Sequence, residues 1–123
     1  MVQWKLKLFK FNASIKKLKR VVIIKTKEII LISKALSEKN RVEIIKLLSE
    51  NELCACHLLE HFEITQPTLS HHMKQLTESG LVKVTRKGTW NHYSINKEIV
   101  DQYIEFLKNT YKNTNGNGNC ICD

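Results

Sequence analysis

The sequence predicts a mainly α-helical winged helix-turn-helix domain, in the order α-α-α-α-β-β-α, that works as a dimer. Three observations predict it. Two short helical stretches, about 54–62 and the run that follows Thr65, are joined by a three-residue turn of Glu63, Ile64 and Thr65. Downstream, two alternating segments, 81–86 and 90–95, flank a turn that contains Gly88. The first and last helical stretches carry more apolar residues than one small core can cover. A helix-turn-helix lays its second helix in the major groove, so this pattern points to double-stranded DNA as the partner.

The elements follow in order. At 123 residues the chain suits one small domain with a modest core. Residues 1–25 are lysine-rich, with Trp4, Leu6, Leu8, Phe9 and Phe11 interleaved, and read as a basic, disordered arm. Residues 26–36 are a mostly apolar first helix, expected to be buried on several sides, in part against a second subunit. Ser37 is placed to cap a second helix over about 38–49, with Val42, Ile44, Ile45 and Leu48 as its apolar set and Asn51 at the turn that ends it. The third helix, 54–62, turns Leu58, Leu59 and Phe62 to the core. Thr65 is the expected N-cap of the fourth, with Pro67 in the first turn, where a missing N–H costs nothing. Leu69, Met73 and Leu76 face inward, and Gly80 sits where the helix ends. Lys87, Gly88 and Thr89 turn the hairpin, or wing, with Gly88 free to take positive φ. A last helix spans 97–111. The tail, 112–123, has a flexible Asn/Gly composition and ends in a Cys-x-Cys. The DNA-binding and sensor domain is thus expected over 26–111.

Charge is a weaker argument for DNA than it first looks. The net charge is +8, but residues 1–27 hold nine Lys/Arg and no acid, while the rest holds eleven against twelve Asp/Glu. The predicted domain is nearly neutral, so the DNA argument rests on particular side chains. On the Leu69/Met73/Leu76 register, Gln66, Thr68, Ser70, His71, Lys74 and Gln75 avoid the core. Gln66 and His71 can donate and accept at base edges, Thr68 and Ser70 can reach bases or phosphates, and Lys74 suits phosphate. Arg86 and Lys87 at the wing tip can grip backbone or minor groove. Gln75 reads as an ordinary solvent-facing residue, His72 as a packed, hydrogen-bonded histidine, and His61 and His92 carry no assigned role.

The four cysteines form two pairs, Cys54/Cys56 and Cys120/Cys122. No apolar run approaches the roughly 18 residues of a membrane span, and the first 27 residues have no apolar stretch of a secretory kind. The expected compartment is the cytoplasm, where clustered thiols more often bind metal or do redox chemistry than form structural bridges. Thiolates are soft ligands for thiophilic ions, and a helix start favours the thiolate. Residues two apart on a helix point about 200° apart. Both thiols therefore cannot share a core face, and one ion bound by both is expected to distort the first turn of the third helix. Because that helix packs on the recognition helix, the strain would weaken DNA binding, and DNA would weaken ligand binding by the same factor. An enzyme is not expected: the chain has no Cys-x-x-Cys, no βαβ pattern and no nucleophile–base set.

The residues Ser37-Glu38-Lys39-Asn40-Arg41, Glu52-Leu53-Cys54-Ala55-Cys56, Gln66-Pro67-Thr68-Leu69-Ser70-His71-His72-Met73 and Gly80-Leu81-Val82 resemble the ArsR family of metalloregulatory repressors, and within it the arsenical-resistance operon repressors. The match covers roughly 26–110. The resemblance implies a homodimeric repressor of an arsenic-resistance operon. Its inducer would be As(III) or Sb(III) held by thiolates, with no organic cofactor and no membrane. A third cysteine often stands three residues after the second in that family; here the position is Leu59. The site is then a dithiolate of Cys54 and Cys56, unless Cys120 or Cys122 adds a sulfur. Cadmium, lead and zinc sensors of the family draw on N-terminal cysteines or on Asp and His of the last helix. Residues 1–25 have no cysteine, and the last helix has Glu98, Asp101 and Glu105 but no His, so arsenic or antimony is favoured. The alternatives are a thiol-redox, persulfide or Cd/Pb sensor of the same fold, or a DNA-binding module whose ligand site has decayed.

Overall fold

The computed structural model describes residues 24–110. All but the last two residues of the arm 1–25, and the tail 112–123 with Cys120 and Cys122, lie outside the described residues. The elements are α1 (Thr26–Ala35), α2 (Lys39–Glu50), β1 (Leu53–Cys54), α3 (Ala55–Glu60), α4 (Gln66–Glu78), β2 (Val82–Lys87), β3 (Trp90–Ile95) and α5 (Lys97–Asn109). The helix-turn-helix is α3–α4 and the wing is β2–β3, so the architecture is a winged helix-turn-helix.

One core joins these elements. Ile32 and Ala35 enter it from α1, Ile44 and Leu48 from α2, Leu58 from α3, and Leu69, Met73 and Leu76 from α4; Leu81, Val82 and Tyr93 close it beneath the wing. The α4 residues recur at the helical spacing that the sequence shows. The polar ends are satisfied locally. Thr65 caps α4, its hydroxyl accepting from the Thr68 N–H at 3.4 Å. Gly80 follows the C-cap Ser79 at φ 86°, the left-handed conformation that helix C-termini favour. Arg41 donates from Nε to the Ala35 carbonyl at 2.7 Å, at the end of α1 where carbonyls lack helical partners, and from a terminal nitrogen to the Lys34 carbonyl at 3.2 Å, which also accepts from Ser37.

Several expectations are corrected. Glu38, not Ser37, caps α2, accepting from the Arg41 N–H at 3.1 Å, while the Ser37 hydroxyl turns back to the Lys34 carbonyl. A carboxylate there has an acceptor within reach of the free N–H groups and complements the helix dipole. The third helix is shorter than expected, and Phe62 packs on the core from the turn beyond it. Residues 53 and 54 form a strand. It pairs antiparallel with β3, Leu53 opposite Tyr93 and Cys54 opposite His92, giving a three-stranded sheet in the order β1-β3-β2. Lys87 belongs to β2, opposite Trp90, and leaves a two-residue loop of Gly88 and Thr89. Gly88, at φ 65°, supplies the positive φ that the first position of such a loop demands. The α1 helix buries Ile32 and Ala35 but leaves Ile30 48% exposed, and α5 buries no residue fully.

Candidate DNA-reading surface and thiol site

The outward face of α4 is built by its inward one. With Leu69, Met73 and Leu76 anchored, Gln66, Thr68, Ser70, His71 and Lys74 are all exposed along one side of the helix. They are not equally free. The Thr68 hydroxyl shares a 2.9 Å hydrogen bond with Thr65, and Lys74 lies 4.0 Å from Glu78. Gln75 is half-buried. His72 is buried, with Nδ1 3.4 Å from an Arg41 terminal nitrogen and 3.6 Å from Glu38, which agrees with a packed, hydrogen-bonded histidine. Burial works against the Glu38 charge. The N–H groups of Asn40 and Arg41 and the neighbouring His72 and Arg41 outweigh it, so the carboxyl lies below its ordinary range. This group ties the start of α2 to the middle of the recognition helix.

In the wing, the Arg86 Nε donates to the Gly88 carbonyl at 3.4 Å. Lys87 does not project freely: its ammonium donates to Glu52 at 2.7 Å, and His92 Nδ1 lies 3.4 Å from the same carboxylate. The Lys87 hydrogen bond is the largest influence on Glu52 and, with the Lys87 and His92 charges, outweighs desolvation to hold its carboxyl below the ordinary range. Glu52 immediately precedes β1. Sequence reasoning missed this link because nothing in a chain of alternating residues shows that residue 52 meets residues 87 and 92.

The thiols begin two residues beyond Glu52, at Cys54. Cys54 is buried and forms the N-cap of α3 with extended backbone, φ −80° and ψ 161°. Its sulfur accepts from the His57 N–H at 3.4 Å and lies 3.2 Å from His57 Nδ1. Cys56 is the more open of the two, and the pair is disulfide-bonded. The expected opposition of the two side chains, and with it the need to distort α3 before one ligand can touch both, is therefore wrong. The reason is local: Cys54 lies outside the helix, in β1, and the change from strand to helix brings residues 54 and 56 to one side with Cα atoms 5.4 Å apart. Donor atoms of Cys54, Cys56 and His57 lie within 4.8 Å of one another, the one such group of three among the described residues. Beside Cys56 a groove of about 310 Å³ runs between α3, α4 and β3, with Gln66 and Ser70 of the recognition helix on its wall.

Comparison with known proteins agrees with the winged helix-turn-helix fold. Residues 38–84 match the model of the bacterial regulatory protein, arsR family. The chain is 48% identical over 96 residues to the arsenical resistance operon repressor of Staphylococcus aureus, covering 78% of this chain and 89% of that one. The repressor of the same name from Bacillus subtilis is 36% identical over 88 residues, covering 71% and 84%. Among solved structures, that of an ArsR family transcriptional regulator superposes with a TM-score of 0.66 at 21% identity, covering 71% of this chain and 90% of that one. The homodimeric winged helix-turn-helix DNA-binding domain of a possible ArsR-family regulator from Mycobacterium bovis superposes at 0.53 with 24% identity, covering 82% and 83%.

Proposed function

The chain belongs to the arsR family of bacterial regulatory proteins, a transcriptional repressor and not an enzyme, and on that premise we propose that it is the arsenic-responsive repressor of an arsenic-resistance operon. Reduced Cys54 and Cys56 bind trivalent arsenic or antimony, and binding releases the operator. The observation that carries the reading is the position of the thiol pair. Cys54 is hydrogen-bonded into the wing sheet opposite His92, and Cys56 opens α3 and lines the groove that it shares with α4. A ligand that fixes the two sulfurs acts on both DNA-facing parts at once, through β1 on the wing and through α3 on the recognition helix. No unwinding of α3 is required. Gln66, Ser70 and His71 read base edges, Thr68 and Lys74 hold phosphate, and Arg86 contacts backbone from the wing, with Lys87 beside it held by Glu52 and meeting phosphate only when that ion pair opens. The residues implied for the ligand fit its chemistry: two soft sulfurs already side by side, one of them at a helix start that favours the thiolate.

The domain of 26–111 pairs with a second copy through α1 and α5. Ile30, Ile104 and Leu107 are 48%, 42% and 45% exposed, and Ser33 and Tyr103, 3.2 Å apart, join the two helices into one face. A monomer by sedimentation at micromolar concentration would refute the pairing. Cys120 and Cys122 are dispensable for the response.

The test is fluorescence anisotropy of labelled operator against arsenite under reducing conditions. Cys54→Ser and Cys56→Ser should bind DNA and fail to release it, while removal of 113–123 leaves release largely unchanged. A truncated protein that no longer responds, beside a Cys54→Ser protein that does, would place the sensor in the tail. One observation favours a second reading, a thiol-redox switch: the two sulfurs stand side by side, placed to join in a disulfide. Release by a disulfide-forming oxidant with no release by arsenite would establish that reading instead.

A further inference from the structure

Resting on the reading above of α4 as the reading head and α1 as part of the dimer face, we infer that Arg41 is a positioning residue for DNA recognition: it fixes α4 against α1, and so sets the separation of the two reading heads in the dimer. One partly buried side chain joins three helices. From α2, Arg41 donates through Nε to the Ala35 carbonyl at 2.7 Å and through one terminal nitrogen to the Lys34 carbonyl at 3.2 Å, both at the end of α1. The other terminal nitrogen lies 3.4 Å from Nδ1 of His72, a buried residue in the middle of α4. A guanidinium can only donate, so in this contact Nδ1 accepts and the ring N–H is at Nε2. Glu38 closes the group. It accepts from the Arg41 N–H at 3.1 Å, stands 3.6 Å from the same His72 nitrogen, and is the carboxylate that faces the guanidinium charge.

Packing alone does not fix this angle. Ile32, Ala35, Leu69 and Met73 hold α1 and α4 in one core, but apolar burial is non-directional and resists separation more than rotation. Hydrogen bonds are directional, and the planar fork of arginine presents its donors at fixed angles. Arg41 therefore adds an angular restraint where packing supplies cohesion. Ser70 and His71, the residues assigned to base edges, directly precede His72, so the restraint acts beside the reading positions. Distance then multiplies the angle. Dimeric helix-turn-helix proteins set their reading heads about 34–36 Å apart, which puts each head about 17 Å from the two-fold axis. A rotation of about 10° at that radius displaces a head by about 3 Å, close to the rise of about 3.4 Å for one base pair.

The experiment uses the full chain under reducing conditions and a duplex that the wild-type protein selects from a random-sequence pool. Anisotropy gives the affinity for the selected duplex, for the same duplex with one base pair inserted or removed between its half-sites, and for a single half-site. Arg41→Lys keeps the charge and loses the fork. His72→Leu keeps the burial and removes the acceptor, while His72→Asn returns an acceptor oxygen at the place of Nδ1. Arg41→Lys and His72→Leu should remain dimeric by sedimentation and bind the single half-site within about threefold of wild type. Both should bind the selected duplex about tenfold more weakly and lose most of the wild-type discrimination against altered spacing. His72→Asn should recover that discrimination. A merely structural role for Arg41 would lower all the affinities together and leave the ratio between spacings untouched. Wild-type spacing discrimination in Arg41→Lys and His72→Leu would therefore overturn the inference while leaving α4 as the reading head. If Arg41→Lys does not fold, the two His72 variants still decide. A wild-type protein that is monomeric, or that selects no duplex with two half-sites, removes the reading on which the inference rests.

Discussion

Helix α4 and the thiol-bearing segment β1–α3, the proposed reading head and sensor, adjoin each other but are held in different ways. Helix α4 is thirteen residues long, capped by Thr65, opened by Pro67 and anchored by Leu69, His72, Met73 and Leu76. The segment β1–α3 has a two-residue strand and a six-residue helix, with Cys54 and Leu58 as its buried residues. A helix of six residues is too short to persist on its own. Its geometry is borrowed from β3 on one side and from the core on the other. The contrast suits the proposed roles. The reading head has to keep its shape, while the sensor has to pass a small displacement to its neighbours. Segments that move in regulation are drawn from the less stable parts of a structure.

The largest expected effect breaks the rigid partner of this comparison. Leu69 is 2% exposed, and Leu69→Ala should cost about 2–5 kcal/mol of stability, read by urea denaturation, with operator binding falling as the fold loosens. In the same experiment its neighbours Ser70→Ala and His71→Ala should leave stability within about 0.5 kcal/mol. Each should weaken operator binding by about 1–3 kcal/mol, the usual cost of removing a hydrogen bond to a base edge. Wild-type operator affinity in both surface variants would remove α4 as the reading head.

The smallest effect sharpens the sensor side. Glu52, immediately before β1, holds Lys87 of the wing. Its carboxyl is depressed, chiefly by that hydrogen bond. The stabilisation is therefore fully present above the ordinary carboxylate range and is lost as pH falls through the lowered value. Glu52→Gln should flatten that acid-side loss in a denaturation series and change little at neutral pH, because both groups are substantially exposed. It also frees Lys87 for a phosphate. The slope of log affinity against log salt should then steepen by about 0.9 per protomer. An unchanged slope would mean that Lys87 does not meet DNA even when released.

Periodicity and local chemistry made a large part of this molecule legible from its residues alone. Leu69, Met73 and Leu76 repeat at helical spacing, which settles both the core face of α4 and, by exclusion, the outward set from Gln66 to Lys74. Thr65 with Pro67, and Gly80 and Gly88, mark chain ends and turns because their side chains, or the lack of one, act within a few residues. The motif residues around Cys54 carried the family. The geometry of the thiol site, by contrast, came from the folded arrangement. Strand β1 is two residues long, too short for alternation to reveal, and it exists because β3 offers it backbone partners. That pairing draws Cys54 out of the helix and turns its sulfur toward Cys56. The helical rule read from the sequence had set the two sulfurs on opposite sides. Glu52, Lys87 and His92 are likewise brought together by folding over a separation of 35 residues or more. Meetings of that kind depend on how the strands register, and no local pattern in the chain encodes them.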